Sequence, residues 1–302
     1  MNTWISLEQA RSAIAAGTGQ GVRVAVLDSG IEASHPGLGG LRLIDDLAFV
    51  SDGNTVHVQP GAGTDVNGHG TGIAGIIHAL APKAKIGSFR VLRMGLFDLT
   101  SKRDIIQRAA FEALDRRYRI LNCSFGCRGE KEFIMEFKDW VDEAYVKGVH
   151  VISACSNRDF TEREWPAYFP TVVTVDKMNL DQVDRFFYRP GNLVEFVAKG
   201  QYSDLLCLDG KTKDGFGTSF AAPVATALMA RLISVHPGLS PLAAKELLRL
   251  VAEPWPRARK GKRERPRRIR LPAEKHDTGP AGHSEKGVLP PVRLGPSGKT
   301  AH

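Results

Sequence analysis

The sequence predicts an α/β fold in which helices flank a mostly parallel central sheet. Short β-branched apolar runs alternate along the chain with longer segments whose apolar residues recur at helical spacing. Val22–Leu27 is typical of the first kind. The segment 101–117 is typical of the second, since Ile105, Ile106 and Ala109 fall on one helical face. Strands and helices that alternate in this way indicate βαβ units with parallel strands.

The same criteria place the other elements and the end of the domain. They predict helices over 4–16, 69–80, 132–147, 218–235 and 241–251, and strands over 85–92, 120–125, 149–155, 172–175 and 193–197. The segment 51–63 is rich in Gly, Asn and Asp and is predicted as a loop. Because the periodicity stops after Val251, we expect a domain over 1–252 and a Pro/Gly-rich, disordered tail over 253–302.

Composition narrows the class of protein. Of the 302 residues, 42% are hydrophobic and 25% charged, which is ordinary for a globular protein. No run approaches the roughly 20 apolar residues of a membrane span, so none is expected.

The cysteines and the N-terminal residues indicate the cellular compartment in which the protein works. Cys123 and Cys127 have no second Cys-x-x-Cys or His pair, so zinc is not expected. We expect these two cysteines, and also Cys155 and Cys207, to be reduced thiols. The opening MNTWISLEQARSAIAAG lacks a basic start followed by an apolar run. These observations predict a cytoplasmic protein.

The net charge of +8 is concentrated in the tail. Residues 253–302 hold 13 Lys/Arg and 5 Asp/Glu, whereas the preceding 252 residues hold 28 of each sign. Such a tail is either a solvated extension or an arm for an acidic partner. Nucleic acid is the weaker hypothesis, because no aromatic residues are interleaved with the basic ones.

Three residues carry candidate chemistry, although each alone has a simpler explanation. Asp28 follows a buried strand in VAVLDSGIE, where an Asp often forms a turn. His69 opens an apolar helix in NGHGTGIAG and could be a cap or a metal ligand. Ser219, in GTSFAAPVATAL, falls in a first helical turn, where serine is normally a cap. Together they supply an acid, a base and a nucleophile, in that chain order.

The motifs DSG, HGT and GTSFAAP also resemble those of the subtilase family, the subtilisin-like serine proteases. Further segments, among them SHPGL, LNCSFG and WPAYFPTVVTV, extend the resemblance over residues 4–251. It implies a subtilisin-like three-layer fold and a serine endopeptidase with Asp28, His69 and Ser219 as its catalytic triad. The alternative is a catalytically idle subtilase fold that binds peptide or protein.

The resemblance also implies the remaining site residues. Asn157 falls where the family places its oxyanion-hole asparagine; its simpler explanation is a turn-forming residue after a strand. A peptide or protein substrate would bind as an extended strand beside the segment Ser124, Phe125 and Gly126. The segment Ala154, Cys155 and Ser156 would form one wall of the pocket for the substrate residue before the cleaved bond. Glu162 or Glu164, which are acidic and near this pocket, would favour a substrate with a basic residue before the cleaved bond.

Several features depart from the family. Ser156 replaces a common glycine and is expected to narrow the pocket. Cys155, beside Asn157, is either a redox-sensitive thiol or a small core residue. No cofactor is expected. Structural calcium would need an acidic loop, and only Asp45, Asp46 and Asp52 are available, without a clear motif.

Overall fold

The computed structural model describes residues 5–53, 55–95, 99–128 and 131–256. Its helices, labelled in chain order, are α1 (Leu7–Ala16), α2 (His69–Leu80), α3 (Arg103–Asp115), α4 (Lys131–Val146), α5 (Thr218–Val235) and α6 (Pro241–Val251). Two short 3-10 turns cover Pro36–Leu38 and Leu208–Gly210.

The strands alternate with the helices through most of the chain. They are β1 (Arg23–Asp28), β2 (Asp46–Asp52), β3 (Thr55–Pro60), β4 (Lys85–Arg90), β5 (Arg93–Met94), β6 (Leu99–Thr100), β7 (Ile120–Cys123), β8 (Cys127–Arg128), β9 (His150–Ala154), β10 (Glu164–Trp165), β11 (Val173–Met178), β12 (Phe186–Tyr188), β13 (Phe196–Lys199), β14 (Gln201–Leu206), β15 (Thr212–Phe216) and β16 (Glu253–Pro254).

Within the described part of the chain, ten strands form one sheet in the order β16-β12-β13-β11-β9-β7-β1-β4-β2-β3. Its central pairs are parallel, as in the register of Val24 with Ile86 and Ile120. In the described part of this sheet, antiparallel pairing occurs only where β3 joins β2 and β12 joins β13. The predicted α/β class with a mostly parallel sheet is therefore confirmed.

The sheet separates two apolar layers. On one face, α1, α2, α5 and α6 pack together through small residues such as Ala10, Ala74 and Ala227. On the other face, α3 and α4 bury larger side chains, among them Phe137 and Trp140. Helices on both faces of one sheet give the three-layer arrangement.

Helix α5 is the central helix of the first layer. By length and composition it could cross a bilayer, but 78% of it is buried within the protein. A mostly apolar, mostly buried helix is what the core of an α/β protein requires.

The predicted loop over 51–63 is wrong. Strands β2 and β3 form a hairpin there, with Phe49 paired to Val58 and Ser51 to Val56. The turn-forming residues do mark the hairpin's turn, where Gly53 has a φ of 57°. The alternation of apolar and polar residues in Thr55–Pro60 is too short and too polar to indicate a strand from sequence. The β14–β15 hairpin was missed for the same reason.

Residues 253–255 contact the sheet. β16 pairs in parallel with β12, and Trp255 lies edge-on to Phe187 at 6.2 Å between ring centroids. Glu253 pairs with Arg185 through two hydrogen bonds of 2.6 Å each. The rest of the predicted tail, from residue 257, lies outside the described residues.

Candidate active site

The candidate site lies at the carboxyl edge of the sheet. Asp28 ends β1, Ser124 directly follows β7, and Asn157 follows β9 by three residues. Because β9, β7 and β1 are neighbouring parallel strands, their carboxyl ends meet at one place. Open α/β sheets bind their ligands at such an edge.

Asp28 and His69 form a buried pair. His69 Nδ1 lies 2.7 Å from Asp28 Oδ1, and the same oxygen accepts the backbone N–H of Ser29, also at 2.7 Å. Asp28 is fully buried, and the side chain of His69 is 16% exposed. The imidazole thus keeps one edge toward the carboxylate and the other toward the surface.

Glycines allow α2 to approach β1 this closely. Gly68 precedes the helix with a φ of 88°, a conformation that side chains disfavour. At Gly70 a Cβ would lie 2.1 Å from the carbonyl oxygen of Gly30. Since any side chain there would push the helix away, these glycines set the position of His69.

A second carboxylate, Asp65, holds the start of α2. Its Oδ1 accepts the N–H groups of Asn67 and Gly68 and the hydroxyl of Ser29. Its Oδ2 accepts the N–H and the hydroxyl of Thr71 at 2.9 and 2.7 Å. Asp65 therefore binds the N–H groups of Gly68 and Thr71 at the start of the helix, and its negative charge lies at the positive end of the helix.

These surroundings raise the pKa of His69 above its ordinary value. Burial is the largest single influence and lowers the pKa, but the charge and hydrogen bond of Asp28 and the charge of Asp65 outweigh it. Protonated His69 is therefore favoured beside Asp28. An imidazole stabilised in this way accepts a proton readily.

Ser219 occupies the first turn of α5. Its carbonyl oxygen accepts the Ser124 hydroxyl at 2.9 Å, and that hydroxyl accepts the amide of Asn122 at 3.0 Å. Asn122 in turn accepts the Thr226 hydroxyl at 2.8 Å. This polar chain fixes α5 on β7. The Ser124 side chain is thus used inside the protein, and only its backbone is left for a peptide.

Asn157 is fixed on the other side of Ser219. Its Oδ1 accepts the backbone N–H of Thr218 at 2.9 Å and the ammonium of Lys177 at 3.0 Å. The Thr218 hydroxyl lies 3.3 Å from the same oxygen and donates to the carbonyl of Cys155 at 2.7 Å. With the oxygen occupied, the Nδ2 group has no partner among the described residues.

A cleft of about 610 Å³ brings these groups together. The predicted residues that line it are His69, Ser124, Phe125, Gly126, Ala154, Cys155, Ser156, Asn157 and Ser219. Asp28 lies buried behind His69, and the Phe220 ring packs against the imidazole at 5.3 Å between centroids. The exposed ring of Phe216 also lines the cleft, which the sequence did not indicate.

One carboxylate lines the cleft, and a second bonds to a residue that lines it. The Ser156 hydroxyl donates to Glu162 at 2.5 Å. Glu164 lines the cleft and lies against Gly126, where a Cβ would meet its Oε2 at 2.4 Å. Arg103, which also lines the cleft, is paired with Glu136 at 2.8 Å.

Burial and pairing also describe the surroundings of Cys155 and of the acidic residue Asp45. Burial, with the charge of Asp176, raises the pKa of the Cys155 thiol well above its usual range, which favours a protonated core residue over a redox-sensitive thiol. Asp45 is occupied by Arg23, Arg116 and the Tyr118 hydroxyl. No group of three His, Cys, Asp or Glu suited to a metal occurs in the described part of the chain.

Sequence reasoning missed Asp65 and Lys177. An Asp four residues before His69 is an available signal, because acidic residues favour helix starts. Lys177 lies in β11, 20 residues from Asn157, and no local pattern connects the two.

The fold and the cleft define an α/β protein that gathers an Asp–His pair, a serine and an asparagine at the carboxyl edge of its sheet. The chain belongs to the subtilase family, whose sequence profile matches residues 19–279. It is 32% identical over 222 residues to an intracellular serine protease of Paenibacillus polymyxa, covering 68% of this chain and 64% of that protein. It is 30% identical over 243 residues to the minor extracellular protease Epr of Bacillus subtilis, covering 77% of this chain and 35% of that protein.

The chain therefore spans about a third of one relative's length and just under two thirds of the other's. Among solved structures, Sphericase superposes with a TM-score of 0.63 at 24% identity, covering 80% of this chain and 88% of that one. This likeness confirms the subtilisin-like fold.

Proposed function

We propose that the protein is a serine endopeptidase with Asp28, His69 and Ser219 as its triad. The observation that carries the proposal is the Asp28–His69 pair at 2.7 Å, with His69 lining the same cleft as Ser219. Retention of all three groups together with Asn157 favours an active enzyme over an idle binding fold.

His69 acts first as a base. It takes the proton of the Ser219 hydroxyl while the oxygen attacks a peptide carbonyl, because serine is a poor nucleophile at neutral pH. Asp28 holds the imidazole in the tautomer that presents a free Nε2 and stabilises the imidazolium. His69 then gives the proton to the leaving amine, and water releases the acyl group by the reverse route.

The oxyanion is bound by the Nδ2 group of Asn157 and the backbone N–H of Ser219. The first helical turn of α5 leaves such N–H groups without intrahelical partners. These donors are fixed before the reaction, so little reorganisation is needed as charge develops. Loss of one such donor costs about 3 kcal/mol of transition-state stabilisation.

The substrate is a peptide or protein segment bound as an extended strand along Ser124–Gly126, with its preceding side chain against Ala154–Ser156. Main-chain hydrogen bonds supply affinity in this mode, and the pocket supplies selectivity. Glu164 and Glu162 make the pocket wall acidic, which favours Lys or Arg before the cut. Ser156 narrows the pocket and restricts specificity further.

We place the enzyme in the cytoplasm, where it processes a peptide precursor or a partner protein. The cysteines are not joined in disulfides, which suits a reducing compartment. A relative with 32% identity is named as an intracellular protease. The basic tail is proposed as an arm for an acidic partner.

The test is hydrolysis of unfolded casein by the purified chain, with Ser219→Ala and Asn157→Ala as parallel samples. We expect release of peptides by the native chain, none by Ser219→Ala and about a hundredfold slower release by Asn157→Ala. Equal hydrolysis by the Ser219→Ala protein would assign the activity to a contaminant and remove the proposal.

A further inference from the structure

Lys177 has contacts that no step of the proposed mechanism uses. It lies in β11, half-buried, and its ammonium donates to the Oδ1 and to the backbone oxygen of Asn157, both at 3.0 Å. Its charge also lies 5.1 Å from the centroid of the Phe216 ring, at the border of the cleft. One lysine is thus held by the side chain and main chain of a single asparagine.

The contacts settle which way the Asn157 carboxamide points. An ammonium has only donors, and so has the backbone N–H of Thr218; the atom that faces both must therefore be the carbonyl oxygen. The NH2 group is then directed away from Lys177. If the carboxamide flipped, its NH2 group would face the Lys177 ammonium, so the cation disfavours the flipped orientation.

The cation also polarises the amide. Positive charge 3.0 Å from Oδ1 draws electron density toward that oxygen and strengthens the N–H groups on the other side as donors. The bond to the backbone oxygen fixes the turn after β9 in which Asn157 lies.

We propose that Lys177 is a positioning residue for the oxyanion donor, orienting and polarising Asn157 without touching the substrate. This role depends on the proposed peptidase activity, because it concerns the negative charge that develops on the electrophile's oxygen as Ser219 attacks. It requires that the effect of Lys177 pass through Asn157.

The experiment measures the rate at which a fluorophosphonate labels the full chain, by intact mass. Lys177→Met removes the ammonium and keeps the length of the side chain. Lys199→Met is the matched control, since Lys199 lies on neighbouring β13 and its ammonium lies over the Tyr202 ring at 5.4 Å. We expect Lys177→Met to react about tenfold more slowly and Lys199→Met to react at the native rate.

Three further measurements distinguish positioning from general damage. Unfolding temperatures are compared first, and Lys177→Gln replaces Lys177→Met if the latter is unfolded. The acid limb of the labelling rate against pH should be unchanged, because His69 is untouched. In an Asn157→Ala background, loss of Lys177 should change the rate by less than about twofold.

The outcomes separate the two claims. No labelling of the native chain would remove the proposed activity itself. Native labelling with an unchanged rate in Lys177→Met, or an equal loss with and without Asn157, would overturn the role of Lys177 and leave the activity intact.

Discussion

His69 is subject to opposing influences on its pKa. Burial lowers the pKa, and the charges of Asp28 and Asp65 raise it by more. Since the base must be neutral to accept a proton, a raised pKa means that activity is lost already as pH falls through a value above the ordinary range for histidine.

Asp28→Asn should therefore move the acid limb of the kcat/KM profile to lower pH, because burial would then dominate. It should also lower kcat by about ten-thousandfold, through loss of the productive tautomer. The profile is measured with a fluorogenic peptide, with Asp209→Asn, an exposed substitution, as the control. An acid limb that stays in place would contradict the assignment of Asp28.

Glu164 provides the residue-scale prediction for specificity. Peptides with Lys or Arg before the cut should be hydrolysed faster than matched peptides with Glu, and Glu164→Gln should reduce that preference about tenfold. Asp159→Asn, in the exposed segment that precedes β10, is the control, since its carboxylate bonds only to Thr161 among the described residues. An unchanged ratio in Glu164→Gln would remove Glu164 from the pocket.

At the scale of single residues, the sequence predicted which side chains gather at the cleft because short motifs carry their own turns and caps. DSG, HGT and GTS each combine a polar side chain with a small neighbour at the end of an element. Lys177 could not be predicted in this way, since its contact with Asn157 depends on how β11 packs beside β9.

At the scale of elements, α2 depends on the Asp65 carboxylate. Asp65→Asn replaces one acceptor oxygen with an NH2 group that faces donors, so we expect the free energy of unfolding to fall by at least about 2 kcal/mol. Urea unfolding measures this, and Asp209→Asn should change it by less than about 0.5 kcal/mol. Equal effects of the two substitutions would show that Asp65 does not hold the helix.

Helix α5 is tightly packed, and Ala227 is fully buried within it. Ala227→Leu should lower the free energy of unfolding by about 1–3 kcal/mol through overpacking. Val235→Leu, at the exposed end of the same helix, should change it by less than about 0.5 kcal/mol. A neutral Ala227→Leu in the same urea experiment would contradict the packing described for this layer.

Elements with strong apolar periodicity were predicted closely, as the start of α2 at His69 shows. The β2–β3 hairpin was not, because β3 is partly exposed and its register depends on pairing with β2 rather than on burial. Tertiary pairing decides the structure of such mostly polar strands.

At the scale of the whole molecule, we propose that the folded domain ends after Trp255 rather than before Glu253, because β16 and Trp255 contact β12. A chain ending at Pro256 should unfold at the same urea concentration as the full chain. A chain ending at Ala252 should lose about 2 kcal/mol, because β16 and the contact of Trp255 with Phe187 are removed. Equal midpoints for both would place the boundary at 252.

The central claim is that Ser219 is an activated nucleophile. Its most direct test is fluorophosphonate labelling of the purified protein beside Ser219→Ala, read by intact mass. We predict a single adduct on the native chain and none on the variant. A well-folded native chain that takes up no label, or a variant that is labelled equally, would contradict the claim.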